Sequence, residues 1–328
     1  MKRFRQFARL FAATQLLPAL ESGEETLVGG QAVLDGVMMR SPHAWGIAVR
    51  KPSGEMACHV EGLERPSEKH KWMGLPVIRG IVTLGQAMML GFRALRFSAD
   101  AVLEQIAQEE GTKKIEISGW FAALNVFISA GFFIFMYKFV PLVAATGLKR
   151  VSPVFSNHVV FNLTDGIIRI ALFLLFIWGI SLFADIRRMY RYHGAEHKTV
   201  FAFEAGDPME IAAAQRYSTF HPRCGTSFLI TVMLISILFY TAIPVTTFWA
   251  RFGLRLALLP LIVGISYEII RYAARHSGSL FALITRPGLW LQRITTQPPA
   301  DDMVECAIVA LNQAMELEKQ RGGELVLA

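Results

Sequence analysis

Four runs of this chain are too long and too apolar to be the core elements of an ordinary soluble domain: residues 120–143, 167–184, 228–249 and 254–272. A helix of about twenty apolar residues crosses the hydrocarbon of a bilayer. Lipid offers no partner for backbone N–H and C=O groups, so a spanning segment has to satisfy them internally, as a helix does. The expected fold is therefore a mainly α membrane protein with about four transmembrane helices. Composition agrees: 53% of the residues are hydrophobic and 18% charged, outside the usual balance of soluble domains. The net charge of +7 then belongs to cytoplasmic loops and does not call for a nucleic-acid partner. Three cysteines, Cys58, Cys224 and Cys306, are odd in number and far apart, which excludes a disulfide framework.

Around these runs the chain divides by composition. Residues 1–27 are basic, with Lys2, Arg3, Arg5 and Arg9 set among phenylalanines. The charges interrupt any signal-peptide core, leaving a surface-lying helix or a loose tail. Residues 28–74 hold short strand-like runs about Lys51-Pro52-Ser53-Gly54, a turn sequence, and predict a small cytoplasmic β-rich unit. Residues 75–116 are helical and apolar but carry Arg79, Arg93 and Arg96, which predicts an interfacial or re-entrant helix. The four-helix region takes 117–286. In the last part, 287–328, Met303, Cys306, Ala307, Ala310, Leu311, Ala314 and Leu317 recur at helical spacing, predicting an amphipathic helix packed on the cytoplasmic unit.

Basic loops orient the spans. Arg187, Arg188, Arg191, Lys198, Arg216 and Arg223 follow the second run, Arg275, Arg286 and Arg293 follow the fourth, and Lys113 and Lys114 precede the first. With four spans these regions share one side, the cytoplasmic one, so both termini are expected in the cytoplasm of a multi-pass inner-membrane protein. Lys149, Arg150, Arg251 and Arg255 fall on the other side, as a minority.

The chemistry concentrates just past the second run, in Tyr192-His193-Gly194-Ala195-Glu196-His197-Lys198. Residues four apart share a helix face, so His193 and His197 present both imidazoles to one point, as two ligands of one metal must. The pattern His-x-x-Glu-His is the inverzincin spelling, with Glu196 placed to activate a metal-bound water as general base or to ligate. The same residues read otherwise as two helix-end histidines and a solvated Glu. For the third ligand two readings stay open. One is Glu268, a lone acid in the last two runs, whose alternative is an ion pair with Arg271 or Arg275. The other is His221 and Cys224, whose chemistry suits zinc; Cys224 reads otherwise as a small buried residue. Asp35 and Arg40 are candidates for touching substrate, or for pairing with each other, and Arg223 joins them as a substrate-binding candidate.

Three stretches carry a family resemblance: Gly29-Gly30-Gln31-Ala32-Val33-Leu34-Asp35-Gly36-Val37-Met38-Met39-Arg40, the histidine motif, and His221-Pro222-Arg223-Cys224-Gly225-Thr226-Ser227-Phe228. The chain resembles the YqhQ-like family of bacterial membrane proteins from about Val28 to Leu317. One departure is Asp35, where the family pattern has Glu. The family's label, predicted metal-dependent enzyme, implies a metal site and no substrate.

The expected function is thus a membrane hydrolase with a cytoplasm-facing metal, zinc foremost, cutting a membrane-embedded peptide or a lipid. The alternative is a membrane assembly or transport factor with a structural zinc site. An open coordination position favours the first; four ligands, His193, His197, His221 and Cys224, favour the second.

Overall fold

The computed structural model describes residues 28–109, 119–222, 224–276 and 279–321. The basic segment 1–27, Lys113, Lys114 and Arg223 lie outside the described residues.

A four-stranded antiparallel sheet comes first, in the order β1 (Gly29–Val33), β2 (Gly36–Arg40), β3 (Ala44–Arg50) and β4 (Met56–Gly62). A two-residue connection, Leu34-Asp35, joins β1 to β2 in the register Val33 opposite Gly36 and Gly29 opposite Arg40. Asp35 takes φ +56°, a left-handed conformation that a short polar side chain tolerates. Its carboxylate pairs with Arg188 at 2.7 Å, not with Arg40. The alternation of side chains gives the sheet two apolar faces. Val37, Met39 and Ala48 face one way, and Met38, Ile47 and Val49 the other.

Helices cover both faces. After a short helix α1 (Pro66–Lys69), α2 runs unbroken over Ile78–Glu109 and sets Leu90 and Ala94 against Met38 and Ile47. At about 1.5 Å per residue it is roughly 48 Å long. The other face receives the C-terminal helix α12 (Asp301–Gln320), whose Cys306, Ala307, Ala310 and Leu311 are fully buried. The amphipathic stripe expected there is buried on the sheet.

Between these ends lies the apolar part: α3 (Gly119–Ile134), a π-helical turn (Phe135–Phe139), α4 (Val140–Val151), α5 (His158–Ile180), α6 (Ala184–Glu204), α7 (Ile211–Gln215), α8 (Gly225–Ala242), α9 (Phe248–Ala257), α10 (Leu259–Arg275) and α11 (Leu280–Thr295). Among the described residues, three helical stretches are long and apolar enough to cross a membrane: Leu124–Val151, His158–Ile180 and Gly225–Ala242. A fourth exists only if α9 and α10, which meet at 48°, count as one span. The run expected as one span over 254–272 is therefore broken, with Pro260 in the first turn of α10.

Helix α5, which holds the second apolar run, begins nine residues before it. Its first turns carry His158, Asn162, Asp165 and Arg169, of which the last three are buried. Asp165 accepts from Arg169 and from Arg255, the latter at 2.6 Å, and Arg169 also donates to Ser236. Such groups are tolerated at membrane depth only when they satisfy one another inside the bundle. Arg251 and Arg255, which counted against the orientation of the spans, belong to this interior network: Arg251 donates to Val245 and sits 3.9 Å from the Phe161 ring.

Candidate metal centre

Helix α6 places the motif. Its Tyr192, Ala195 and Val200 enter the core shared with the sheet and α12, which turns the face carrying His193, Glu196 and His197 towards the start of α8. The two imidazole rings lie 4.4 Å apart. Gly194, on the adjoining face, lets the chain after α11 come so close that an added Cβ would stand 2.1 Å from the Gln297 carbonyl oxygen.

That close approach brings backbone carbonyls to the histidines. His193 Nδ1 donates to Thr295 O at 2.8 Å, and His197 Nδ1 donates to Thr219 O. A carbonyl only accepts, so each Nδ1 carries the proton and each Nε2 keeps its lone pair for the site. Fixing the tautomer through the far nitrogen is the usual outer support of a metal-binding histidine.

Cys224 completes the group. It caps the N-terminus of α8, where the helix dipole favours an anion. Its Sγ lies 3.2 Å from His193 Nε2. One donor atom from each of His193, His197 and Cys224 lies within 4.8 Å of the others. Burial opposes charge on Cys224, but His193 and then His197 pull its thiol well below the ordinary value. Burial likewise opposes charge on His193, yet the adjoining Cys224 sulfur, with Glu196 and the Thr295 carbonyl, holds its proton up to about 9. A nitrogen, nitrogen, sulfur donor set with fixed tautomers fits zinc.

Glu196 Oε2 stands 3.4 Å from His197 Nε2. His221 is close, its ring 5.6 Å from that of His197, but its Nε2 faces Glu204 Oε2 at 3.5 Å. Burial holds it neutral, with its pKa lowered to about 4. Its backbone is clamped by Gln292, which accepts from His221 N and donates to His221 O, both at 2.7 Å, and donates to Ser227.

Glu268 is elsewhere. Its carboxylate receives the Val77 N–H and the guanidinium of Arg79 at the start of α2, so it stands outside the group of His193, His197 and Cys224. Arg40 lines the same cavity as the histidines, a space of about 220 Å³. Burial, foremost, lowers its pKa, which for an arginine still leaves a cation. Asp35, tied to Arg188, does not line that cavity.

Sequence reasoning overlooked Gln292, Thr295, Thr219, Gly30 and Gly194. Both threonines act through their carbonyls, so the residue type carries no signal. Gln292 left one sign, a polar residue directly after the apolar run Leu289-Trp290-Leu291.

Residues 75–317 match the family described as Protein of unknown function (DUF1385). The chain is also 30% identical over 302 residues to the "Uncharacterized protein YqhQ" of Bacillus subtilis (strain 168), covering 88% of this chain and 92% of that one. No solved structure matches.

Proposed function

Because the chain belongs to the DUF1385 family, whose description carries no activity, its chemistry has to be read from the site: we propose a membrane-bound metal-dependent hydrolase. The observation that carries this is the donor count. Three ligands, His193, His197 and Cys224, form the group, while His221 turns to Glu204. Three protein ligands with a position left over is the pattern of catalytic zinc, and four is that of structural zinc.

A divalent metal held by these three residues supplies the Lewis acidity that lets water act as a nucleophile near neutral pH. The rest is the chain's own work. Glu196 takes a proton from the attacking water and returns it to the leaving group. Thr295 and Thr219 hold the imidazoles in one tautomer. The sheet, α2 and α6 wall the cavity. The bond cut is a peptide or ester bond of a membrane-associated substrate.

The membrane setting rests on the apolar helices, whose large side chains such as Trp120, Phe127, Ile128 and Leu238 are exposed and suit lipid contact. With Arg251 and Arg255 assigned to the interior, the loop charges favour a cytoplasm-facing site in the inner membrane more strongly.

One contact favours a second reading. Cys224 Sγ at 3.2 Å from His193 Nε2 is also the geometry of a thiol nucleophile and its base, with Thr295 orienting the imidazole.

Glu196→Gln tests the proposal in cells lacking the native gene. The variant should accumulate with stoichiometric metal and lose function by about 10²–10⁴-fold. Full complementation by metal-loaded protein refutes the hydrolase; function that survives complete metal removal selects the thiol.

A further inference from the structure

We infer that the substrate is a polypeptide in extended form, bound by adding a strand to the open edge of β1; this rests on the hydrolase reading and narrows its peptide-or-lipid choice. In the order β1-β2-β3-β4, β1 has one neighbour. In an antiparallel pair, alternate residues point both backbone groups away from the partner. Among the described residues, no N–H or C=O of Gly29–Val33 bonds beyond β2. The sheet's faces are covered by α2 and by α6 with α12; among the described residues, no strand pairs with this edge.

Proteins usually blunt such an edge with lysine, proline or a bulge, because it templates pairing with other chains. Here it reads Gly-Gly-Gln-Ala-Val, with no charge and no proline. It borders the cavity of the candidate centre. Gly29, Gly30 and Gln31 line one side, and His193, Glu196 and Cys224 line another.

The spacing fits. A strand paired to β1 would lie about 4.8 Å beyond it, within that cavity. Glu196 lies directly over the edge strand: a Cβ on Gly30 would stand 2.6 Å from Glu196 Cγ, so only glycine leaves the carboxylate there. On the opposite face, Gln31 reaches the backbone of α2 at Gly91, where an added Cβ would be 2.4 Å from its Oε1. The edge therefore opens into a slot between α6 and α2. A paired chain would satisfy the edge groups at every second residue and pass a peptide carbonyl beside Glu196. A lipid ester has one carbonyl and no row of N–H donors, so it cannot use the edge.

The test uses full-length, zinc-loaded protein in nanodiscs and three hydroxamates: acetohydroxamate, a hydroxamate-capped tetrapeptide and a hydroxamate-capped acyl chain of equal length. The tetrapeptide should bind more tightly than the acyl chain. Methylating its amide nitrogens one at a time should weaken binding about tenfold at alternate positions and little between them. Hydrogen exchange on metal-free protein, with an uncapped peptide at high concentration, gives a readout without metal: alternate amides of residues 29–33 should slow. Equal binding by the acyl chain, or methylation effects without the period of two, overturns strand addition and leaves the hydrolase standing. Failure of acetohydroxamate itself to bind overturns the metal centre, and the inference with it.

Discussion

Gly194→Ala is a small change with an unusual expected sign. At an open helical position such as Gly85, where nothing lies within 4 Å of an added Cβ, glycine to alanine gains about 1 kcal/mol of helix propensity. At Gly194 the new carbon would stand 2.1 Å from Gln297 O, against an ordinary contact of 3.4 Å or more. The neighbour must retreat by the difference, about 1.3 Å, and it is backbone, so no side chain can rotate away. Overpacking of this kind costs about 1–3 kcal/mol, which leaves a net loss of roughly 0–2 kcal/mol after the propensity gain. The larger effect is on the centre. Gln297 is two residues from Thr295, whose carbonyl sits 2.8 Å from His193 Nδ1. Transmitted to Thr295, a retreat of that size breaks the bond. Loss of such outer support costs about 10–100-fold in metal affinity. Zinc affinity by competition with a chromophoric chelator, beside thermal melting, measures both quantities, with Gly85→Ala as control. Unchanged zinc affinity together with a melting temperature at or above the parent's would refute the chain from Gly194 through Thr295 to His193.

Glu268→Gln should leave metal content unchanged and cost about 1–3 kcal/mol through the weakened grip on Arg79; loss of stoichiometric metal would return Glu268 to the ligand set. Asp165→Asn strands Arg169 and Arg255 in the bundle and should cost about 3–5 kcal/mol, read as lower melting temperature and membrane yield, and an unchanged melt would show the network to be idle. The contact of α12 with the sheet should depend on pH through His43 and Glu318, whose side chains meet at 2.7 Å. Burial opposes both charges, but Glu318 and Glu68 together raise the His43 pKa, and His43 and Ser41 together lower the Glu318 pKa. The histidine's contribution is complete below its ordinary 6.5 and lost as pH rises through the raised value; the glutamate's is complete above its ordinary 4.5 and lost as pH falls through the lowered one. Protection of α12 amides should peak between those values, and protection still rising from pH 7 to 9 would contradict the assignment.

Much of the architecture was legible along the chain because it depends on near neighbours. Apolar runs of bilayer length mark the three long helices, turn residues mark the sheet, and a stripe at helical spacing marks the buried face of α12. The shared face of His193 and His197 follows from helical periodicity alone, and their rings lie 4.4 Å apart. Boundaries were harder where polarity was internal. The start of α5 looks too polar to span, yet Asn162, Asp165 and Arg169 are buried there because Arg255 and Ser236 arrive from other helices.

The local pattern of this sequence determined its helices, its hairpins and the pairing of two imidazoles, since each arises from residues within a turn or two. Only the tertiary structure decided which third side chain joins them. Glu268 and Cys224 are both far from His193 in sequence, and periodicity does not rank them. Helix α2 brings Arg79 to Glu268, and the start of α8 brings Cys224 to within 3.2 Å of His193. The tertiary structure also turned the edge of β1 towards Glu196. Its residue types announce no chemistry, because the groups in question belong to the backbone that every residue shares.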